Sequence, residues 1–165
     1  MSDKLVVMGV AGCGKSSLAQ ALADALGWTL IEGDEFHPQA NVDKMRRGQA
    51  LTDADRAGWL ATLGQQLQMH AHAVLTCSAL RHVYRDQLRA HSPGLRFVHL
   101  QLTPQQARSR VAQRNSHYFN PELVDSQFQT LEPTEGEPDV LALDATQSPA
   151  KLLQAVTHWL EKEQA

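Results

Sequence analysis

Eight residues near the start of the chain, Gly9-Val10-Ala11-Gly12-Cys13-Gly14-Lys15-Ser16, carry the spacing G-x-x-x-x-G-K-[ST] at every fixed position. Glycines let a backbone wrap closely around an anion. Loop N–H groups and the N-terminus of the following helix then face the negative charge. In such a loop Lys15 reaches the β- and γ-phosphates of a nucleotide, and the Ser16 hydroxyl ligates Mg²⁺. Ser17 carries the loop into the helix. ATP and Mg²⁺ are therefore the expected ligands. Cys13 sits where a helix N-terminus lowers a thiol pKa, so an oxidation-sensitive thiol is expected there.

A phosphate loop names a nucleotide, not a reaction. The guanine-reading N-K-x-D of switch GTPases is absent, and the third strand-like run ends Thr76-Cys77-Ser78 without the acid of the ATPase motors. Mg²⁺ then rests on Ser16, the phosphates, water and Asp34, and small-molecule kinases become the leading class. Glu32-Gly33-Asp34-Glu35-Phe36-His37-Pro38 follows the second strand, at the edge of a doubly wound sheet where ligands gather. Asp34 is placed to orient an acceptor hydroxyl and take its proton, or else to cap the next helix. His37 binds a substrate hydroxyl or serves as a turn residue. Lys44 and Arg56 are further substrate candidates, with Asp53 and Asp55 as competing partners for Arg56.

Residues 81–114 hold seven arginines, no lysine and one acid, inside a chain of net charge -3. That concentration reads as an anion site, because the guanidinium fork grips phosphate or carboxylate bidentately. Arg81, Arg85 and Arg89 step by four along one helix face. Arg81, nearest the strand end, is the best partner for a substrate carboxylate, and Arg89 is expected to be solvated. Arg110 and Arg114, also four apart, precede a polar segment, 115–138, that sits where a lid would close. They could stabilise charge on a transferring phosphoryl group.

These residues need strands and helices to position them. Leu5–Met8, Trp28–Ile31, Val74–Cys77, Leu95–Leu102 and 138–143 read as strands. Helical spacing covers 15–26 (ended by Gly27), 39–48, 54–70, 80–90, 103–114, 121–131 and 149–162. Thr52 or Asp53 caps the third helix, and Thr103 caps 103–114 with Pro104 in the first turn. The alternation predicts a five-stranded parallel sheet covered on both faces. Met45, Trp59, Leu63 and Met69 are expected in the core, and His70, His72 and His91 at the surface.

The chain has 165 residues, 42% apolar and 20% charged, the size of one globular domain. No apolar run is long enough to span a membrane. The N-terminal residues lack the basic start and cleavage site of a secretory signal. Two cysteines without metal-ligand spacing fit a reducing cytosol. The net negative charge argues against nucleic acid as a partner.

The residues together resemble the bacterial-type gluconokinases, nearly end to end. The resemblance rests on Gly9–Ser16, Gly33-Asp34 with His37-Pro38, Asn41 and Lys44-Met45. It continues through Gly48, Leu51, Asp53, Asp55-Arg56, Trp59-Leu60, Cys77-Ser78-Ala79-Leu80, Tyr84-Arg85-Asp86, Leu88-Arg89, Ser109-Arg110, Arg114, His117, Phe119, Gln127-Phe128 and Leu131-Glu132. It implies a nucleoside-monophosphate-kinase-like P-loop fold with a short lid, Mg-ATP as donor and D-gluconate as acceptor. It also implies a cytoplasmic homodimer, with the adenine near Arg110 and residues 144–146. Ala11 and Cys13 stand where relatives often carry serine. A kinase of shikimate or another hydroxy acid is the nearest rival, though the Gly-Gly pair of shikimate kinases is missing after the third strand. A nucleoside monophosphate kinase would need a longer lid. A non-catalytic ATP-binding module would bind ATP without acceptor-dependent turnover.

Overall fold

A computed structural model describes residues 3–113 and 122–164. Five strands, β1 (Asp3–Met8), β2 (Thr29–Glu32), β3 (His72–Thr76), β4 (Arg96–Gln101) and β5 (Val140–Asp144), form one sheet in the order β2-β3-β1-β4-β5, with every pairing parallel. Among the described residues seven α-helices flank it: α1 (Lys15–Leu26), α2 (Gln39–Arg46), α3 (Asp53–Met69), α4 (His82–His91), α5 (Pro104–Ala112), α6 (Leu123–Thr130) and α7 (Pro149–Gln164).

The period-2 pleat divides β1 between two cores. Val6 and Met8 pack with Trp59, Leu60, Leu63, Leu75 and Phe97 on the α3/α4 side. Leu5 and Val7 pack with Leu18, Leu22, Val98 and Val156 on the α1/α7 side. All four β1 side chains are fully buried, each worth about 1.5–3 kcal/mol of transfer free energy. Burial on both faces is why this strand reads as a continuous apolar run.

Local signals end the helices where expected. Gly27 takes the left-handed conformation that closes α1. Thr52 caps α3 in a reciprocal box with Asp55, and Thr103 caps α5 with Gln106. The helix expected from residue 80 starts instead at His82, because the chain first turns at Ala79, a non-glycine residue at φ 46. Beyond α6, the far end of the expected lid is tied to α4. The Glu132 N–H donates to the Leu80 carbonyl, and the Glu132 carboxylate accepts from the His82 N–H, both at 2.7 Å. Met69, expected in the core, is exposed. His91, expected at the surface, lays its ring against Gly64, where an added Cβ would come within 2.3 Å.

Candidate active site

The loop between β1 and α1 approaches β4 too closely for a side chain at its first glycine. A Cβ on Gly9 would lie 2.6 Å from the Leu100 carbonyl oxygen, and its φ of +145° disfavours L side chains. Gly14, also left-handed, turns the chain into α1. Lys15 Nζ donates to the carbonyls of Gly9 (3.0 Å) and Val10 (3.2 Å), a resting place inside the loop it would leave for phosphate.

Glu32 is the residue that sequence reasoning passed over. Its Oε2 accepts from Ser16 Oγ and from Thr76 Oγ1, both at 2.9 Å. Thr76 occupies the place where motor ATPases carry an acid. Glu32, its register partner on β2, supplies the carboxylate from the adjacent strand. A serine hydroxyl beside a carboxylate is a hard oxygen set that suits Mg²⁺. Among the described residues no cluster of three or more His, Cys, Asp or Glu gathers for a metal. Phosphate oxygens and water would complete the shell, which is how Mg²⁺ is usually held. The available signal was an acid at a strand end directly before Gly33-Asp34.

Gly33 is the pivot of the acceptor side. A Cβ there would fall 2.1 Å from the Thr76 carbonyl oxygen. Its N–H donates to Thr76 Oγ1, and its carbonyl accepts from Trp59 Nε1 at 2.8 Å. The single 3₁₀ turn that follows, Gly33–Phe36, delivers Asp34 to the rim. His37 stacks on Trp59, with ring centroids 4.0 Å apart and planes at 14°. Asn41 Nδ2 donates to the Asp55 carbonyl, which fixes its amide, so His37 Nδ1 accepts from the same group. The proton therefore sits on Nε2, 3.9 Å from Asp34 Oδ1. Burial, with Arg56 nearby and against the pull of Asp34, lowers the His37 pKa to about 4 and keeps the ring neutral.

Arg56 Nη1 donates to the Leu51 carbonyl (2.7 Å) and to the Tyr84 hydroxyl (3.0 Å), and the Tyr84 hydroxyl donates to Asp53. One cleft joins Lys15, Ser16, Asp34, His37, Arg56 and Gln127. Its far wall is α6, through Leu123, Ser126 and Gln127. Gln127 Oε1 accepts the Ala11 N–H at 2.6 Å.

Other expected site residues are engaged elsewhere. Lys44 is held by Asp55 at 2.6 Å, and that bond, with the Thr52 backbone N–H, lowers the Asp55 pKa to about 2. Arg81 pairs with Asp53 at 2.6 Å and does not line the cleft. Asp53 is held below the usual carboxylate range, first by Tyr84 and then by Arg81. Arg89, expected in solvent, bridges Asp86, Glu137 and Asp139. Cys13 is 1% exposed, so the expected reactive thiol is shielded. Arg114 lies outside the described residues, as do His117 and Phe119.

Arg110 does reach a ligand-sized space. It spans from the Gly12 carbonyl to the Ala145 carbonyl, both at 3.2 Å. It borders a hollow with Ser17, Gln147 and Pro149, beside the loop after β5 where an adenine was expected. Lys15, Arg56 and Arg110 thus bond to neutral oxygens and keep their charge for an anion. Lys44, Arg81, Arg85 and Arg89 are matched by carboxylates.

The family model described as an AAA domain matches residues 5–134. The chain is 43% identical over 164 residues to a gluconokinase of Gluconobacter oxydans (strain 621H), covering 96% of this chain and 92% of that protein. It is 38% identical over 147 residues to the thermoresistant gluconokinase of Escherichia coli (strain K12), covering 86% and 84%. The crystal structure of a gluconokinase from Sinorhizobium meliloti 1021 superposes with a TM-score of 0.88 at 41% identity, covering 96% of this chain and 91% of that one.

Proposed function

The chain belongs to the gluconokinase family, and on that premise we propose that it transfers the γ-phosphoryl group of ATP to the 6-hydroxyl of D-gluconate, giving 6-phospho-D-gluconate and ADP. The observation that carries the reading is one cleft joining the phosphate loop to a rim carboxylate and to a cation that, among the described residues, is hydrogen-bonded to neutral oxygens.

In this reading the loop amides from Gly9 to Ser17 and Lys15 cradle the phosphates, and Arg110 flanks the adenine hollow. Ser16, with Glu32 behind it, would hold Mg²⁺, whose charge offsets that of the β- and γ-phosphates. Arg56 takes the gluconate carboxylate, its direction set by Tyr84 and Leu51. Neutral His37 donates from Nε2 to a sugar hydroxyl. Asp34 aligns the 6-hydroxyl. As the hydroxyl oxygen bonds to the γ-phosphorus and the bond to the β–γ bridging oxygen breaks, the hydroxyl proton passes to the Asp34 carboxylate. The transition state of such transfers is loose, so alignment contributes more than basicity. Lys44 and Arg81 act indirectly, through Asp55 and Asp53. Arg114 is assigned beside the transferring group on its spacing from Arg110 alone.

The chain works as one kinase domain, with the lid in residues 115–138. A cytoplasmic homodimer completes the proposal. Two buried free cysteines support a reducing compartment, and no described helix is long and apolar enough to cross a membrane. Mg-ATP-dependent ADP release with gluconate, shikimate, other aldonates, glucose, AMP and no acceptor tests it. Release with gluconate alone is expected. Release with a different acceptor would refute the substrate, and none with any acceptor would refute the kinase.

A further inference from the structure

We propose that Gln127 is a positioning residue that couples the gluconate wall of the cleft to the phosphate loop. The proposal rests on the kinase reading above and concerns how the two halves of its site communicate.

Helix α6 has two faces with different duties. Val124 and Phe128 pack with Val10, Ala107 and Val111, seating the helix against the loop and α5. Leu123, Ser126 and Gln127 face the cleft. The packed face fixes where the helix sits, and the cleft face is what an acceptor would touch. Gln127 links that face to the loop, because its Oε1 accepts the Ala11 N–H at 2.6 Å. Ala11 is inside the run of amides that shapes the phosphate cradle, so its N–H carries the position of α6 directly into the loop. The contact spans 116 residues of sequence, and it adds a directional polar link to the apolar packing of Val124 and Phe128 on Val10.

The consequence is thermodynamic. An acceptor resting on Leu123 and Ser126 favours one position of α6. Through Gln127 that position favours one shape of the loop. Gluconate should then tighten nucleotide binding, and the nucleotide should tighten gluconate by the same factor, because coupling between two sites is reciprocal. A glutamine suits this link. It is a neutral acceptor long enough to cross from the helix to the loop, and it adds no negative charge beside the phosphates.

The test compares the wild type with Gln127→Met, which keeps length and volume but cannot accept the Ala11 N–H. The Kd of a non-hydrolysable ATP analogue with Mg²⁺ is measured with and without saturating gluconate. In the wild type, gluconate lowers that Kd by at least about fivefold. In the variant the factor falls to one, each ligand alone binds within about twofold of wild type, and kcat drops about tenfold with Tm unchanged. Retained coupling in the variant, or none in the wild type, overturns the proposal. Loss of binary ATP binding in proportion to kcat also overturns it, since that marks a merely structural residue. A second measurement does not depend on the variant folding. Gluconate alone should shift the Ala11 amide resonance of the wild type, and an unmoved resonance overturns the link. Wild-type enzyme that turns over no gluconate would instead sink the kinase reading, and this proposal with it. Turnover without coupling sinks only the role of Gln127.

Discussion

Two regions of this molecule are rich in arginine and carboxylate, and they do opposite things with them. Along α4, Arg85 is fully buried and bonds to Glu137, to the Ala79 carbonyl at 2.8 Å and to the Glu132 carbonyl. Arg89 clasps Glu137 and Asp139, and these bonds outweigh burial in raising its pKa. Every charge there has its counter-charge within the chain, and the result is a brace. It ties residues 131–139 to α4 and holds Ala79 in its unfavourable left-handed conformation, next to Ser78, whose carbonyl accepts the Gly9 N–H. In the cleft, Lys15 and Arg56 bond among the described residues to neutral groups: backbone carbonyls, the Cys13 sulfur and the Tyr84 hydroxyl. An arginine already paired with a carboxylate offers an incoming anion little, because that anion must displace a partner of equal charge. An arginine oriented by a carbonyl and a phenol is aimed and still attractive. The counter-charge, rather than the residue type, separates brace from binding site.

Substitutions at the two ends of this contrast should fail in different ways. The largest effect is expected at Lys15. Lys15→Ala should lower kcat by about 10²–10³, the scale for losing one preorganised donor to developing charge, with Tm little changed. A variant retaining more than a tenth of wild-type kcat would remove Lys15 from the transfer step.

The sharper comparison sets Arg85→Ala against Arg56→Ala. Removing Arg85 leaves Glu137, 9% exposed at its side chain, with Arg89 as its remaining arginine partner and takes the guanidinium from the Ala79 and Glu132 carbonyls, and breaking a buried pair costs up to about 3–5 kcal/mol of stability. The expected result is a much lower urea midpoint with a near-normal gluconate KM at low temperature. Arg56→Ala should do the reverse. The gluconate KM should rise about 10- to 100-fold for the loss of a charged hydrogen bond, with Tm within a few degrees. If Arg56→Ala destabilises as much as Arg85→Ala, or leaves KM unchanged, the division between the regions is wrong.

The smallest effect is in pH. His37 in the cleft and His99 beside the brace are both lowered to about 4, chiefly by burial, with Arg56 and Arg85 respectively adding to the shift. Below about 6.5 the unfolded chain takes up protons that the folded chain refuses. Stability is therefore full above about pH 6.5 and falls as pH drops towards 4. Urea unfolding at pH 7, 5.5 and 4.5 should show that slope, and His99→Gln or His37→Gln should each flatten it. Imidazole resonances titrating near 6.5 would contradict the burial argument.

Much of the fold was legible because its signals are local. The loop glycines, Gly27, the Thr52 and Thr103 caps and the apolar run of β1 each act within a few residues of chain. The phosphate half of the site was legible for the same reason, since Gly9 to Ser16 is contiguous. The acceptor half was read less well. Asp34, His37 and Arg56 were found and do meet in the cleft. The contacts of Glu32 with Ser16 and of Gln127 with Ala11 were not foreseen, and Arg81 and Lys44, expected on the substrate, are paired with carboxylates. These outcomes turn on contacts across 11 to 116 residues of sequence: Lys44 with Asp55, Ser16 with Glu32, Arg81 with Asp53, Ala11 with Gln127.

By itself, then, the sequence determined the phosphate loop, the strand and helix order and the family, because short-range backbone geometry and contiguous motifs encode them. Which cations are matched by carboxylates and which are held by neutral groups was decided only in three dimensions. A charge is spent or kept according to the nearest oxygen in space. That neighbour depends on sheet register and helix packing, which no spacing along the chain specifies.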